Sequence, residues 1–593
     1  MNVLRRVMSI IRADDQDHQV TETATGSATN ARDNGRRTAR ILPLGTDIWY
    51  LLIPYLHRRD LYNLCLVSKS LHPLAISRLY HTIQIGREPE SANWRANLLE
   101  LHEREESGEE WHYMTWKLSR ALLSRLQNDP AGQQARAVRV LEISSIQQFE
   151  HDDEEEEWEE RVDQEDEDMD EDGMLSDSGL EKIFIALIET LPCLELVRMH
   201  PQKPNYDNLT RAVAGHSNNP RLQLLGEDGS RVIDGPMPNV TALHARVNPW
   251  HPQGDGPNSH MLQLQKLFFA CPNLKDFSLG VWGNYGGCRR PRVEHDMVFS
   301  FELTGEETFP PLESLSFDGY NMEKDELAHW QDRLNWSKIT SLKVGPQHSP
   351  FSSVALFRRL VRSGVHANSL RSLTVTCWAT DGNDSCASLE RLLVSFTGLE
   401  RLTVKGHFIA DKHAVFNHPG LKKLCLHAIE RDRRGAPRPV LDAADLVGLD
   451  AACPDLEDLE IDICRDSTGW PKDVIDVLTS RFANLRRLTL HSEVGLKWDW
   501  RRGELPLLLP ALDDAAAKAF AASFFSRRGP SKLDPLAIKT GEDLRRYPKW
   551  SPPYERHERQ ATRTVRIRAP RENGGELEME EETLRWPYNA GGV

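Results

Sequence analysis

Charged side chains alternate with apolar ones along four short segments between residues 401 and 491. Basic and acidic groups stand close together there, and such a pattern can bind a charged or phosphorylated peptide through paired hydrogen bonds. An interpretation at least as well supported is that the opposite charges only hydrate an exposed sheet. The candidate target-binding residues are Arg401, Lys405, Lys423, Asp458, Glu460, Asp462 and Arg487, and equivalent positions carry Thr403, His427, Thr489 and His491.

Motifs of known catalytic chemistry are absent from the sequence. It contains no HExxH, no GxSxG, no phosphate-binding P-loop and no CxxC pair. The 22 histidines are dispersed along the chain without the spacing of metal ligands. We therefore expect a binding protein and not an enzyme, with no cofactor and no metal site.

The elements that would position these residues are repeats of an apolar-x-x-apolar-x-apolar triplet. Each copy predicts a short strand that buries one face against its neighbours, which is the strand signature of leucine-rich repeats. Twelve copies occur, and their first residues are Val138, Leu194, Val240, Leu274, Leu312, Ile339, Leu370, Leu399, Leu421, Leu456, Leu485 and Leu533.

Amphipathic segments between the triplets predict helices, as in residues 385–396 and 471–482. Strand and helix repeated in one direction predict an α/β fold, with a parallel inner sheet and outer helices. Successive triplets start between 22 and 56 residues apart, whereas regular leucine-rich repeats need about 20–29 residues. We therefore expect an irregular leucine-rich-repeat solenoid over residues 138–490, interrupted by insertions.

Residues 41–85 predict a separate module of three short helices. Asp47 and Asp60 complement the positive ends of two helix dipoles, and Ser70 can cap a third helix. Pro54 removes a backbone hydrogen bond, so the first helix should be short. Three such helices hold little core and expose apolar residues unless a partner covers them. The alternative is a plain helical cap on the next domain.

The same segment resembles an F-box, through Leu42-Pro43, the apolar run 48–56, Asp60-Leu61, Leu66-Val67-Ser68 and Leu79-Tyr80. An F-box docks a substrate receptor on the Skp-type adaptor of a cullin ubiquitin ligase, and degenerate leucine-rich repeats follow it in fungal proteins. The resemblance covers about forty residues. It implies adaptor contacts at Leu42, Pro43, Asp47, Ile48, Leu52, Ile53, Leu56, Leu61, Leu64 and Val67.

The length and charge distribution of the chain predict that it contains several domains and segments. Its 593 residues exceed what one compact core usually holds. Residues 152–172 carry sixteen acids and one arginine, which leaves the rest of the chain near neutrality. The predicted parts are a disordered arm (1–40), the F-box (41–85), a helical linker (86–137), the solenoid (138–490) with a disordered acidic insert (150–175), and a C-terminal cap and tail (491–593). We expect a last strand at residues 564–568 and a frayed acidic end.

Partners and compartment follow from the same features. No apolar run is long enough to span a bilayer, and the nine cysteines are scattered, so a cytoplasmic or nuclear protein is expected. The expected partners are a Skp-type adaptor, through it a cullin, and a protein target of unknown identity. The alternative is a leucine-rich-repeat scaffold that works without ubiquitin. Residues 556–571 are basic, but the near-neutral remainder argues against nucleic acid.

Overall fold

The computed structural model of the chain divides into two compact units, Met1–Gln223 and Leu224–Val593. The predicted arm, the acidic insert, and Leu42, Pro43, Asp47 and Ile48 lie outside the described residues. The structure describes residues 49, 52–53, 56, 58–67, 69, 71–85, 126, 128–129, 131–144, 177–200, 207–227, 235–247, 257–281, 301–320, 324–345, 356–358, 360–361, 369–376, 382–406, 411–428, 440–465, 469–492, 514–529, 532–540, 563–568 and 577–583.

The first unit is α/β in its described part. Its helices are α1 Arg58–Val67, α2 His72–Leu79, α3 Gln133–Ala137, α4 Asp177–Thr190 and α5 Asp207–Gly215. Parallel pairing joins its strands in chain order, and these are β1 Thr82–Ile85, β2 Val140–Ser144 and β3 Leu196–His200. The residues of β4, Arg221–Glu227, span the division between the units.

The second unit repeats the same arrangement. Its helices are α6 Pro257–Ala270, α7 Lys324–Arg333, α8 Gly382–Val394, α9 His413–Phe416, α10 Ala443–Ala452, α11 Lys472–Ser480 and α12 Asp514–Arg528. Its parallel strands, each paired with the next, are β5 Val240–Val247, β6 Asp276–Val281, β7 Ser314–Asp318, β8 Ser341–Val344, β9 Ser372–Thr376, β10 Arg401–Lys405, β11 Lys423–His427, β12 Asp458–Ile463, β13 Arg487–Ser492 and β14 Leu536–Thr540. Among the described helices, none combines the length and the apolar character that a membrane crossing needs.

The twelve triplets are confirmed as strands of a mostly parallel α/β fold. They coincide with β2, β3 and β5–β14, and every triplet residue is buried, with Leu426 the most exposed at 8%. This burial follows from the alternation, because residues two apart on a strand share one face. The described pairing in each unit supports a solenoid-like arrangement, in which a repeat buries its apolar face against neighbours.

The C-terminal strands reverse direction. Strand β15, Arg563–Arg568, pairs antiparallel with β14, and β16, Glu578–Thr583, pairs antiparallel with β15. The expected last strand is therefore present, but the acidic segment after it is a further strand and not a frayed end. The register places Glu580 opposite Arg566 and Glu578 opposite Arg568. Opposite charges on facing positions favour this pairing.

A turn with one hydrogen bond precedes several strands. The carbonyls of Cys271, His418, Cys453 and Phe482 each accept from the N–H three residues later, at distances of 3.0–3.2 Å. All four side chains are buried where the turn enters the core. His418 is the polar member of the set, and its ring lies 5.2 Å from that of Phe396. A polar ring at this position makes stability depend on pH.

We expect the second unit to lose stability on acidification because of His418. Burial lowers the pKa of His418 to about 4, and both ring nitrogens are buried without a hydrogen-bond partner among the described residues. The unfolded chain therefore binds the proton more readily, so stability is complete above about pH 6.5 and falls as pH drops towards 4, by up to about 3 kcal/mol. A His418→Cys variant, matching Cys271 and Cys453, should flatten this dependence in chemical unfolding measured from pH 7 to pH 4.5. Equal slopes for both proteins would contradict the prediction.

An edge charge ladder runs just ahead of strands β9–β14. Its members alternate in sign and are Arg371, Glu400, Lys422, Glu457, Arg486 and Asp534. The N–H of each member from Glu400 onward donates to the carbonyl of the preceding member, at 2.8–2.9 Å. Side-chain ion pairs join Glu400 to Lys422 and Glu457 to Arg486, both at 3.4 Å. The ladder extends the backbone pairing of the sheet by one residue ahead of β9–β13 and by two residues ahead of β14.

An aromatic cluster fills the core around β6 and β7. Trp330 of α7 lies at its centre, with ring centroids 4.8 to 6.2 Å from five phenylalanines. Its Nε1–H donates to Glu326 Oε1 at 2.9 Å, and the Tyr320 hydroxyl donates to the same oxygen at 2.6 Å. The cluster consists of Trp330, Tyr320, Phe268, Phe277, Phe301, Phe309 and Phe317.

Candidate functional site

The seven predicted target-binding residues lie on four adjacent strands, β10–β13. Pairing places Arg401 opposite Lys423, Lys423 opposite Asp458, and Asp458 opposite Arg487. A second row of the sheet places Lys405 opposite His427. The alternation read from the sequence therefore brings the basic and acidic residues together. It does not decide how accessible they are.

Asp458 is nearly buried between two cations. Lys423 Nζ lies 3.4 Å from its carboxylate, and Arg487 Nη2 lies 2.9 Å from the same oxygen. The Arg487 side chain is 63% exposed, whereas that of Asp458 is 12% exposed. Arg401 is exposed, and its Nε donates to Ser372 Oγ at 3.3 Å. The charges that face solvent in this row are therefore positive.

Glu460, whose side chain is 14% exposed, is also paired. His491 Nε2 lies 2.7 Å and Lys539 Nζ 3.1 Å from its Oε1. Burial raises the pKa of Glu460, but the hydrogen bond from His491 and the charges of Lys539 and Lys405 hold it below the usual range. Burial also lowers the pKa of His491 to about 4. At neutral pH we assign an ionised Glu460 and a neutral His491 that donates through Nε2–H.

Asp462 is the most deeply buried of the three carboxylates, with a side chain that is 5% exposed. Its Oδ1 lies 2.8 Å from His427 Nδ1, and its Oδ2 accepts from the N–H of Ala428 at 2.6 Å. The rings of His427 and His491 are stacked, with centroids 3.9 Å apart. His427, Asp462 and His491 are all buried, and one ligand atom from each lies within 4.8 Å of the others.

This His427–Asp462–His491 cluster was not predicted from the sequence. Its members are 35 and 29 residues apart, which matches no linear metal motif. The signal that could have found it is position within the repeat. Each of the three residues directly follows the last apolar residue of its triplet, so equivalent positions on neighbouring strands meet.

The N-terminal helices have a small core of their own. Trp49, Ile53, Leu61 and Leu71 are buried there, and the partly buried residues around them include Leu52, Leu56 and Leu64. Five implied adaptor contacts thus lie in or against this core, and the side chain of Val67 is outside the described residues.

Two apolar residues of helix α1 point to solvent. Tyr62 is 55% exposed and Leu66 is 68% exposed. Neither belongs to the contacts implied by the resemblance. They are four residues apart and therefore lie on the same face of the helix. An exposed apolar pair on a short helix is a candidate contact for a partner protein.

A scan against models of known protein families finds no match to this chain, and a search of curated proteins finds none either. Two regions of the described structure offer surfaces for a partner, the helix that exposes Tyr62 and Leu66 and the charged strands β10–β13.

Proposed function

We propose that the chain is the non-catalytic substrate-recognition subunit of a Skp–cullin–F-box ubiquitin ligase. In this proposal the N-terminal helices bind the Skp-type adaptor, and the repeat strands bind a protein target. The observation that carries the proposal is the exposed pair Tyr62 and Leu66 on α1, within the segment that resembles an F-box.

The N-terminal helical segment has the features of an element that docks on a partner protein. Among the described residues of this segment, four form a buried core, and a few short helices are seldom stable as an independent domain. Tyr62 and Leu66 sit one turn apart on the outer face of α1, as anchors of a helix in a groove do. Covering both side chains with a partner removes exposed apolar surface from water, and this contributes about 25 cal/mol per Å².

The charged strands favour an acidic target segment. Arg401, Lys423 and Arg487 present accessible positive charge, while Asp458 is nearly buried and paired. A phosphate or carboxylate on a target can accept charge-assisted hydrogen bonds from such groups. If these charges only hydrate an exposed sheet, the strands will show no preference for acidic peptides.

The receptor contributes proximity and no nucleophile. Holding a target beside the recruited conjugating enzyme raises the effective concentration of its lysines, and a bimolecular reaction becomes effectively intramolecular. The chemistry of ubiquitin transfer then belongs to the other subunits of the complex.

We expect a Leu66→Lys variant of the full-length chain to bind the Skp-type adaptor about 100-fold more weakly than wild type, because it places an unpaired charge in an apolar contact. The variant should fold, since Leu66 is exposed near the end of α1, where a cation complements the helix dipole. Isothermal titration calorimetry with purified adaptor measures the difference.

Val394→Lys is the matched control, because Val394 is 52% exposed and also ends a helix, α8. It should bind the adaptor as wild type does. A folded wild-type chain that shows no binding to the adaptor would sink the proposal. The ubiquitin-independent scaffold would then be the better account of the repeats.

A further inference from the structure

The His427–Asp462–His491 cluster has the dimensions of a metal site. One ligand atom from each residue lies within 4.8 Å of the others. A point within about 2.8 Å of all three atoms therefore exists, against Zn–N and Zn–O bonds of about 2.0–2.2 Å, so shifts of less than about 1 Å complete the coordination. The three residues are buried, which limits competition from bulk water.

The chemical types of the three ligands indicate which class of metal ion the site would bind. Two imidazoles and one carboxylate suit borderline transition metals, whereas Ca²⁺ and Mg²⁺ prefer oxygen ligands. Three protein ligands leave a further position for water, as in many Zn²⁺ sites. The ion class expected here is therefore a divalent transition metal such as Zn²⁺.

Neighbouring groups hold the ligands in place. The N–H of Ala428 fixes one oxygen of Asp462 at 2.6 Å, and Glu460 fixes the His491 ring through Nε2 at 2.7 Å. A carboxylate that binds the second nitrogen of a ligating histidine orients the ring and raises its basicity. Glu460 already pairs with Lys539 at 3.1 Å, so we assign it this positioning role and leave Asp462 as the anionic ligand.

The imidazole rings must turn for coordination. Their planes differ by 25° and their centroids are 3.9 Å apart, so their in-plane lone pairs do not yet converge on one point. Because Glu460 holds the His491 ring through Nε2, the His427 ring is the one that turns. The His427–Asp462 hydrogen bond is then exchanged for one bond from each residue to the ion.

We propose that His427, Asp462 and His491 bind one Zn²⁺-class cation that ties strands β11, β12 and β13 together. The three residues come from successive repeats, so the ion adds a cross-link to strands already joined by backbone pairing, apolar burial and side-chain ion pairs. This site goes beyond the proposed receptor function and does not depend on adaptor binding.

The test uses the full-length chain, stripped of metal with a chelator and exchanged into a buffer that contains citrate as a weak competitor. Zn²⁺ is titrated by calorimetry and Co²⁺ by visible absorption. We expect one ion per chain, visible Co²⁺ bands and a melting temperature that rises with Zn²⁺ concentration. Asp462→Asn and His491→Gln should each weaken binding by about tenfold or more.

His244→Gln is the matched control, because His244 forms an isolated pair with Asp276 at 3.0 Å on strands β5 and β6. It should bind Zn²⁺ as wild type does. A wild-type chain without stoichiometric binding overturns the proposal, and so does an equal loss in His244→Gln or no loss in the ligand variants.

Poor folding of the ligand variants leaves the test intact. The wild-type chain loaded with Co²⁺ is then observed by NMR, where histidine ligands give strongly shifted imidazole resonances. Resonances from two coordinated histidines support the site, and their absence in a Co²⁺-loaded chain overturns it.

Discussion

A Trp330→Ala variant is expected to lower the free energy of unfolding of the second unit by about 3–5 kcal/mol, the usual cost of deleting a large buried ring. Trp330 is almost fully buried, and its ring lies 4.8 Å from Phe309 and 5.4 Å from Phe317. Deleting it opens a cavity that the surrounding rings fill only in part. It also removes one of the two side-chain donors described for Glu326 Oε1, at 2.9 Å.

Trp330→Phe separates these two contributions. Phenylalanine keeps most of the packing and loses the N–H, so we expect a loss of about 1–3 kcal/mol, from the smaller ring and the missing hydrogen bond to a buried carboxylate. Urea unfolding followed by near-ultraviolet circular dichroism measures both variants. An alanine variant within 1 kcal/mol of wild type would show that the aromatic cluster is not a tightly packed core.

Gly319→Ala is expected to cost about 3 kcal/mol, from a left-handed backbone and a steric overlap together. Gly319 has φ +72°, and a Cβ there would overlap the carbonyl oxygen of Val281 at the end of β6. That oxygen belongs to the backbone and cannot rotate away. The backbone of β6 or of the turn after β7 must therefore move, next to the aromatic cluster.

Gly529→Ala isolates the backbone contribution. Gly529 has φ +67°, and no heavy atom lies within 4 Å of a Cβ built there. We expect a cost of about 1 kcal/mol. Thermal unfolding of both variants gives the comparison, and similar losses for Gly319→Ala and Gly529→Ala would rule out the overlap with Val281.

The strands were predictable where the triplet is complete. Leu424 and Leu426 are two residues apart and share the buried face of β11, whereas Leu421 enters the core from the turn ahead of the strand. Strand β4 was missed because Asn219, with φ +49°, stands where the first apolar residue belongs. Its turn is nevertheless the usual one, since the Asn219 N–H donates to the His216 carbonyl at 2.9 Å.

Strand β1 was missed for a different reason. Tyr80, Ile83 and Ile85 fit the triplet, but they follow helix α2 directly and were assigned to the helical module. Its pairing with β2 could not be foreseen, because residues 86–137 separate the two strands. Local pattern predicts a strand, whereas its partner depends on how the long connection folds.

In the candidate site, too, the sequence pattern predicts which face of the strand a residue occupies but not how deeply its side chain is buried. Alternation placed Asp458, Glu460 and Asp462 on one face of β12, and the register sets Asp458 opposite Lys423 and Arg487, Glu460 opposite Cys425 and Thr489, and Asp462 opposite His491. Their burial could not be derived, because it depends on which side chains reach them across strands. Lys539 of β14, for example, reaches Glu460 from 79 residues away in sequence.

Because charges alternate in sign along the edge charge ladder, removing an odd number of repeats brings like charges together, whereas removing an even number does not. Deleting the single repeat that carries Lys422 would set Glu400 beside Glu457, whereas deleting two successive repeats would keep every neighbour opposite in charge. Each exposed pair contributes only about 0.2–1 kcal/mol, but like charges reverse the sign of that contribution. Within the ladder, a deletion variant that removes two successive repeats therefore preserves the favourable neighbours, whereas removal of one repeat brings like charges together.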